Sequence, residues 1–228
     1  PYGVIAYLAR MFSYKKFVIT AQGTYAIEPL CKIKTAFLAR RAVQSANKII
    51  AISNFTKEEL LKKVRVKNIQ VINHGIDLKL FYCEHLKSEN DFILSVGALK
   101  YRKGYHVSIP AFALAKKNFS TLKYKIVGSQ VDTNYLTRLK AIATKCGVLQ
   151  DIEFLEKVSE EELRNLYQKA KLFMLASVNV GYSFEGFGLV FLEAAAAGLP
   201  VIGTLGNGIQ DAVKNGYNGI LVRQNDIE

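Results

Sequence analysis

Between residues 91 and 228 the sequence alternates strand-like apolar runs with helix-like segments, and this alternation limits the chain to few folds. The runs DFILSVG, KYKIVG, DIEFL, KLFMLA, LPVIGT and NGILV are short and almost continuously apolar. The intervening segments include YHVSIPAFALAKKN, TNYLTRLKAIATKCG and SEEELRNLYQKA, which have helical spacing. Apolar strands separated by helices are typical of a parallel sheet covered on both faces. We therefore predict a doubly wound α/β domain that binds ligands at the carboxyl ends of its strands.

The first third of the chain shows the same pattern over fewer elements. The strand-like runs are KKFVITAQG, KIIAIS and NIQVINHGID, and the helix-like segments are IKTAFLARRAVQSAN and FTKEELLKKV. We interpret residues 1–81 as the C-terminal part of another Rossmann-like domain, residues 82–90 as a polar linker and residues 91–228 as the second domain. Since the chain starts inside a helix-like segment and stops after a strand, we expect a fragment whose closing helix lies beyond Glu228.

Charge is concentrated in the first part of the chain. Residues 1–90 hold fifteen Lys and Arg against six Asp and Glu, whereas the whole chain has a net charge of +12. This excess indicates an anionic partner such as phosphate, a membrane surface or nucleic acid, with a solvated basic face as the alternative. Cys31, Cys83 and Cys146 show neither metal-ligand spacing nor a disulfide framework, so we expect a reducing, cytoplasmic location. The sequence has no apolar run of the roughly 18–20 residues that span a bilayer.

Two carboxylates interrupt the most apolar segment of the chain. From residue 172 to residue 210 the only charged side chains are Glu185 and Glu193, in SFEGFGLVFLEAAAAGLPVIGT. Buried carboxylates are costly unless they are paired, and no cation adjoins these two in sequence. We therefore expect a ligand, not the protein, to partner them. The alternative is a loop glutamate and a helix-surface glutamate without a shared role.

The spacing of these residues suggests what the ligand contacts. A helix that begins near Phe187 would place Glu193 six residues in, about 9 Å along the axis. Glu185 would stay in the loop before the helix, with the positive helix end between the two carboxylates. Gly186 and Gly188 would let the backbone approach closely. This arrangement suits a molecule with hydroxyls at both ends and negative charge in the middle, such as a nucleoside diphosphate sugar.

A second candidate segment supplies cations. In SVGALKYRKGYH a glycine ends a strand, and Arg102 and Lys103 then precede a helix, where they could hold phosphate. The histidines, His74, His85 and His106, show no metal or nucleophile pattern, so we expect structural roles for them. Ser159 and the three glutamates after it read as a helix cap with acids that suit the helix dipole.

Together these segments resemble the retaining glycosyltransferases of family 4, which have the two-domain GT-B fold. EGFGLVFLEAAAAGLPVIGT is similar to that family's E-x7-E segment, and VGALKYRKG to its phosphate-binding strand and loop. IEFLEKVSEEEL resembles its nucleotide-side segment, while ANKIIAISNFTKEEL and IQVINHGID resemble the end of its first domain. These segments occur in the family's order over most of the chain.

The resemblance implies roles for specific residues. Glu185 would contact the transferred sugar and Glu193 the ribose hydroxyls, while Lys103, helped by Arg102, would neutralise the diphosphate. Backbone N–H groups near Gly188 and Leu189 would assist, and Lys157 and Val158 would lie near the base. The implied donor is a UDP- or GDP-sugar and the acceptor a glycan or lipid-linked molecule at an anionic membrane surface, with no metal cofactor and no nucleic acid partner.

Two departures from the family pattern bear on activity. Ala98 stands where many members have arginine, and Gln22 stands where many have a histidine that meets the donor sugar. A non-catalytic sugar-nucleotide-binding subunit is therefore the main alternative. An epimerase or phosphorylase and a nucleic-acid-binding module fit the sequence less well. As a fragment, the chain is expected to bind nucleotide weakly and to turn over poorly or not at all.

Overall fold

The computed structural model describes residues 2–13, 15–82 and 91–228, and these residues form two parallel sheets. In the first sheet β1 (Val18–Ala21), β2 (Lys48–Ala51) and β3 (Ile69–Val71) lie in that order. The helices of this part are α1 (Tyr2–Ser13), α2 (Thr24–Cys31), α3 (Ile33–Ser45), α4 (Asn54–Lys63) and the short α5 (Leu78–Phe81). The proposed linker at 82–90, with Cys83 and His85, lies outside the described residues except for Tyr82.

The second sheet has six parallel strands in the order β6-β5-β4-β7-β8-β9. The strands are β4 (Phe92–Val96), β5 (Lys123–Val127), β6 (Ile152–Leu155), β7 (Leu172–Met174), β8 (Val201–Thr204) and β9 (Gly219–Val222). They alternate with α6 (Tyr105–Lys116), α7 (Thr133–Lys145), α8 (Glu160–Lys169), α9 (Leu189–Ala196) and α10 (Ile209–Ala212). The predicted doubly wound α/β fold is confirmed.

The core of the second domain explains why these strands read as continuous apolar runs. Helices cover both faces of the sheet, so adjacent strand residues such as Ile93 and Leu94 are both buried. Phe112, Phe173 and Phe191 are completely buried between sheet and helices, and each contributes roughly 1.5–3 kcal/mol through the hydrophobic effect. The same core therefore fixes the strands whose carboxyl ends carry the candidate site.

Local capping agrees with the sequence at α8. The Ser159 side chain accepts from the Glu162 N–H, and the Glu162 carboxylate accepts from the Ser159 N–H at 2.8 Å. This capping box satisfies two N–H groups that the helix itself leaves without partners. The predicted structural role is therefore confirmed for Glu162, and Glu160 and Glu161 lie beside it in the first turn.

Several elements differ from the sequence-based prediction. The sequence did not predict helix α2, because Pro29 lies inside it and proline usually interrupts a helix. The segment IQDAVKNG forms only the four-residue helix α10. Helix α9 begins at Leu189 and not near Phe187, because Gly188 takes a left-handed conformation that ends the preceding loop. Glu193 is therefore the fifth residue of its helix.

The two domains meet around the loop that leads into α9. Thr24 Oγ1 donates to the Phe184 carbonyl at 3.1 Å and accepts from the Phe184 N–H at 3.0 Å. Gly23 and Gly186 pack backbone to backbone, and a Cβ on Gly23 would lie 2.8 Å from the Gly186 Cα. The first domain therefore contacts the residues on either side of Glu185.

A second contact between the domains centres on Asp211 of α10. Its Oδ2 accepts from the Asn54 N–H at 2.9 Å, from Asn54 Nδ2 at 3.0 Å and from Asn73 Nδ2 at 2.9 Å. Asn54 begins α4 and Asn73 follows β3, so one carboxylate joins α10 to two elements of the first domain.

Candidate active site at the junction of the two domains

The strand order places a crevice between β4 and β7. Chain connections from β4 run outward through β5 and β6, whereas those from β7 run outward the other way through β8 and β9. Ligands of open α/β sheets bind at such a switch point, outside the carboxyl ends of the strands. The loops that leave β4 and β7 here are residues 97–104 and 175–188, which contain four of the predicted site residues.

The loop after β4 holds two cations against the loop after β7. Residues 101–103 form a short 3-10 turn, and Gly104 ends it with a φ of 73°. A Cβ at Gly104 would overlap the Ala176 carbonyl, so only glycine fits this approach. The Val178 N–H also donates to the Arg102 carbonyl at 2.8 Å, which ties the two loops together.

Glu185 is paired with both cations of this loop. Its Oε2 accepts from Lys103 Nζ at 2.6 Å and from Arg102 Nη1 at 3.0 Å. The Lys103 and Glu185 side chains are each only 11% exposed. Burial acts to raise the pKa of Glu185, but the charges and hydrogen bonds of Lys103 and Arg102 outweigh it and lower that pKa below its usual value.

The expectation that Glu185 lacks a protein partner is therefore wrong. Its partners lie 82 and 83 residues earlier in the chain, and β4 beside β7 brings them together. The pairing also bears on Ala98, where the family pattern has arginine. Arg102 supplies a guanidinium next to Lys103, so the site contains two cations despite that departure.

Glu193 also has a partner within the protein, which corrects the same expectation for the second carboxylate. The Tyr167 hydroxyl, on α8, donates to Glu193 Oε2 at 2.8 Å. Burial raises the pKa of the half-buried Glu193, while the hydrogen bond from Tyr167 acts in the opposite direction. Between Glu185 and Glu193 lies the start of α9 at Gly188 and Leu189, whose first N–H groups have no acceptor within the helix.

The first domain contributes Gln22 and His74 on the opposite side. His74 Nε2 and Gln22 Oε1 lie 3.1 Å apart, and the His74 ring contacts the Phe187 ring edge-to-face at 5.9 Å. Phe187 is two residues after Glu185. The sequence predicted only a structural role for His74 and did not reveal its partner, because Gln22 is 52 residues away in the chain.

Lys157 and Val158 lie farther from this cluster. They follow β6, which is two strands away from β4, or about 10 Å at usual strand spacing. Lys157 is exposed with a φ of 57°, and Val158 packs against the hydrophobic core. The structure thus joins Arg102, Lys103 and Glu185 directly. Within the described residues, no hydrogen bond or ion pair joins Lys157 or Val158 to either carboxylate.

The described ranges hold neither a metal-binding cluster nor a membrane-spanning helix. In residues 2–13, 15–82 and 91–228, no three His, Cys, Asp or Glu side chains cluster in a way that could hold a metal ion. Over the same ranges, no helix is both long enough and apolar enough to cross a membrane.

Solved structures share this architecture. The crystal structure of Anabaena HepE with UDP and glucose has a TM-score of 0.81 at 21% identity and covers 99% of this chain and 62% of its own. Sucrose-phosphate synthase from Thermosynechococcus elongatus gives 0.83 at 22% identity, covering 99% and 59%. Two parallel sheets with a site at their junction therefore define a GT-B type glycosyltransferase fold.

Sequence comparison identifies the family. Residues 83–228 match the family described as Glycosyl transferases group 1, and residues 1–80 match the one described as Glycosyltransferase Family 4. The chain belongs to the group 1 glycosyltransferases, and its first part matches the family 4 model. The predicted family is thus confirmed.

Individual relatives agree with this assignment. An uncharacterised glycosyltransferase of Methanocaldococcus jannaschii is 28% identical over 99% of this chain and 59% of its own length. The D-inositol 3-phosphate glycosyltransferase of Corynebacterium urealyticum is 34% identical over 58% of this chain and 31% of its own. The chain therefore spans about three-fifths or less of these relatives.

Proposed function

We propose that this chain is part of a retaining glycosyltransferase that moves a hexose from a nucleoside diphosphate sugar to a glycan or lipid-linked acceptor. The observation that carries the proposal is the cluster of the nearly buried Lys103 and Glu185 with the partly exposed Arg102, at the switch point between β4 and β7. Two cations and the start of a helix suit a diphosphate, and the adjacent carboxylate suits sugar hydroxyls. The proposal assigns the reaction to these groups without a metal ion.

The cluster suggests how donor binding begins. In the structure Glu185 offsets one of the two positive charges and accepts hydrogen bonds from both cations, so an incoming diphosphate must take over those hydrogen bonds. Glu185 would then turn from the cations to the sugar, and Glu193 would accept from the ribose hydroxyls. Donor binding thus exchanges one set of charge-assisted hydrogen bonds for another of similar strength.

The same groups would act in the transfer step. As the bond between the sugar carbon and the diphosphate oxygen breaks, negative charge grows on the diphosphate, where Lys103, Arg102 and the α9 N–H groups stabilise it. The acceptor oxygen bonds to the same face of the oxocarbenium-like sugar, and its proton passes to the departing diphosphate oxygen. This course retains the anomeric configuration.

The identity of the donor is also part of the proposal. HepE was crystallised with UDP-glucose and with UDP and glucose, which supports a UDP-sugar as the first donor to test. A GDP-sugar is the other donor class that we consider.

The alternative function is a non-catalytic subunit that binds a sugar nucleotide. It is favoured by Gln22, which cannot carry a proton charge where many relatives have histidine. His74 lies within hydrogen-bonding distance of Gln22 and brings an imidazole to the same place. Gln22 and His74 thus argue in opposite directions, and the alternative is established only if the sugar nucleotide binds and its sugar is not transferred.

Replacement of Glu185 tests the proposal. In Glu185→Gln, UDP should bind at least as tightly as in the wild type, because the diphosphate no longer competes with a carboxylate. Glucose transfer or hydrolysis from UDP-glucose should fall at least about a hundredfold, the effect of losing a main electrostatic group. Both can be measured by calorimetry and by UDP release.

Asp151→Asn is the matched control. Asp151 also pairs with two lysines, Lys116 at 3.1 Å and Lys123 at 2.6 Å, but it precedes β6 at the far edge of the sheet. Asp151→Asn should therefore change neither the affinity for UDP nor the rate of transfer or hydrolysis. Weaker UDP binding in Glu185→Gln than in this control would contradict the proposed exchange. Because the chain spans only about three-fifths of a relative, the turnover comparison belongs to a chain of the relatives' full length, and UDP binding without turnover there would favour the non-catalytic alternative.

A further inference from the structure

Tyr167 has a buried hydroxyl group, and core packing alone does not explain why that group is present. Its side chain is 1% exposed and packs against Phe81 and Phe173, at centroid distances of 6.2 and 6.1 Å. A phenylalanine would satisfy those contacts equally well. The hydroxyl instead donates to Glu193 Oε2, the carboxylate that the proposed function places on the ribose. The position therefore combines a core ring with one polar atom directed at the candidate site.

We propose that Tyr167 is a positioning residue for nucleotide recognition: it holds one oxygen of Glu193, so that the other oxygen and the remaining lone pairs face the ribose hydroxyls. This inference rests on the proposed function. Tyr167 would not touch the substrate and would act only through Glu193. It extends the candidate site from the loop and α9 back to α8, which contributes none of the residues predicted from the sequence.

Physical chemistry gives the hydroxyl two effects. An ionised carboxylate has about four acceptor sites, and occupying one fixes its rotation, so fewer conformations are lost when ribose binds. A hydrogen bond to the charged form also keeps Glu193 ionised against the effect of its partial burial. Removal of the hydroxyl should therefore raise the pKa of Glu193 further.

Several elements packed around Glu193 carry or adjoin charged groups. Helices α5 and α10 both pack against α9. On α5, the Asp77 cap accepts from the Lys79 N–H, and on α10 Asp211 is bonded to Asn54 and Asn73. Arg164, on α8, lines a separate pocket with Lys79. In the described part of the chain, no ion pair joins any of these groups to Glu193.

The test is calorimetric titration of UDP into the wild type and Tyr167→Phe from pH 5 to pH 8. At pH 8 the variant should bind about three- to tenfold more weakly, less than for a direct hydrogen bond to a charged group because Tyr167 acts only through Glu193. Because protonated Glu193 cannot accept from both ribose hydroxyls, affinity falls as the pH drops through its pKa. In Tyr167→Phe that fall should begin at a higher pH, which a purely structural role would not cause.

Two further variants make the outcome decisive. Tyr124→Phe removes another completely buried hydroxyl, bonded to Ser95 and Ser108 and not to Glu193, and it should leave UDP affinity and its pH profile unchanged. In a Glu193→Gln background, Tyr167→Phe should have little additional effect, since its action runs through that carboxylate.

The possible failures are distinguishable. If a folded wild type binds neither UDP nor GDP, the proposed function fails. If the wild type binds UDP and Tyr167→Phe matches it in affinity and pH profile, the positioning role is overturned while the proposed function stands. If Tyr167→Phe lowers UDP affinity equally in the wild-type and Glu193→Gln backgrounds, the positioning role is likewise overturned, and Tyr167 acts through packing.

Discussion

At the scale of single residues, the central feature is one carboxylate oxygen shared by two cations. Glu185 Oε2 contacts both Lys103 and Arg102 in a nearly buried setting. Breaking such a pair by removing one partner is costly because the remaining charge stays buried. In a binding site the same arrangement keeps the cations in place until an anionic ligand replaces the carboxylate.

This pairing predicts the acid dependence of stability. The pKa of Glu185 is lower in the folded chain than its ordinary value, so its contribution is complete above the unfolded-state pKa and is lost as the pH falls through the folded-state pKa. Glu185→Gln should therefore lower the melting temperature most above about pH 4.5, the ordinary range for glutamate. Calorimetric melting of both proteins from pH 3 to pH 7 measures this. A difference that stays constant or grows toward acid would contradict the ion pair.

At the scale of elements, loops 97–104 and 175–188 form a single unit because their backbones are in contact. Gly104 is where the first loop approaches the second most closely. A side chain there would clash with the Ala176 carbonyl, and the residue would also have to adopt an unfavourable left-handed conformation. The loop that holds the cations thus depends on the absence of a side chain at one position.

Gly104→Ala should therefore be markedly more destabilising than the same change at Gly147. Both glycines have similar φ values, 73° and 72°, so each alanine carries a conformational cost of about 1–2 kcal/mol. A Cβ at Gly147 meets nothing within 4 Å, whereas a Cβ at Gly104 overlaps backbone atoms. Urea unfolding of the two variants compares the costs directly. Equal losses would show that the two loops separate easily.

The sequence predicts those features of these elements that depend on residues close together in the chain, and it misses contacts between residues far apart in the chain. The strands of the second domain were predictable because both faces are buried, and the α8 cap because Ser159 and Glu162 are three residues apart. The contacts of Glu185, and those of Gln22 with His74, join residues more than fifty positions apart, so no local pattern reveals them. From the sequence, Tyr167 is indistinguishable from the other apolar residues on the buried face of an amphipathic helix. Its hydrogen bond to Glu193 is visible only in the structure.

At the scale of the whole molecule, the two domains differ in surface character. The first part has most of the basic excess, and α1 exposes Tyr2, Ile5, Met11 and Phe12. Exposed apolar side chains beside cations favour an anionic surface, either a membrane or another protein segment. We propose peripheral contact with an anionic membrane, where a lipid-linked acceptor would be found.

Vesicle binding tests this contact. The chain should co-sediment with phosphatidylglycerol-containing vesicles at low salt and dissociate as salt is added, because screening weakens attraction between exposed charges. Changing Lys15 and Lys16 to glutamate should reduce binding strongly. The same changes at the exposed Lys140 and Lys145 of α7 are the control for net charge. Equal losses in the two variants would exclude a specific basic face.

The central claim is that the junction of the two domains binds a nucleoside diphosphate through its cations and carboxylates, and thermal unfolding with UDP, GDP or ADP tests it most directly. Ligand at a hundred times its dissociation constant should stabilise the chain by about 2.7 kcal/mol. We expect a rise in melting temperature with one base, the same with and without magnesium, and absent in Glu193→Ala. No shift with any of the three from a chain that melts cooperatively, or an undiminished shift in Glu193→Ala, would contradict it.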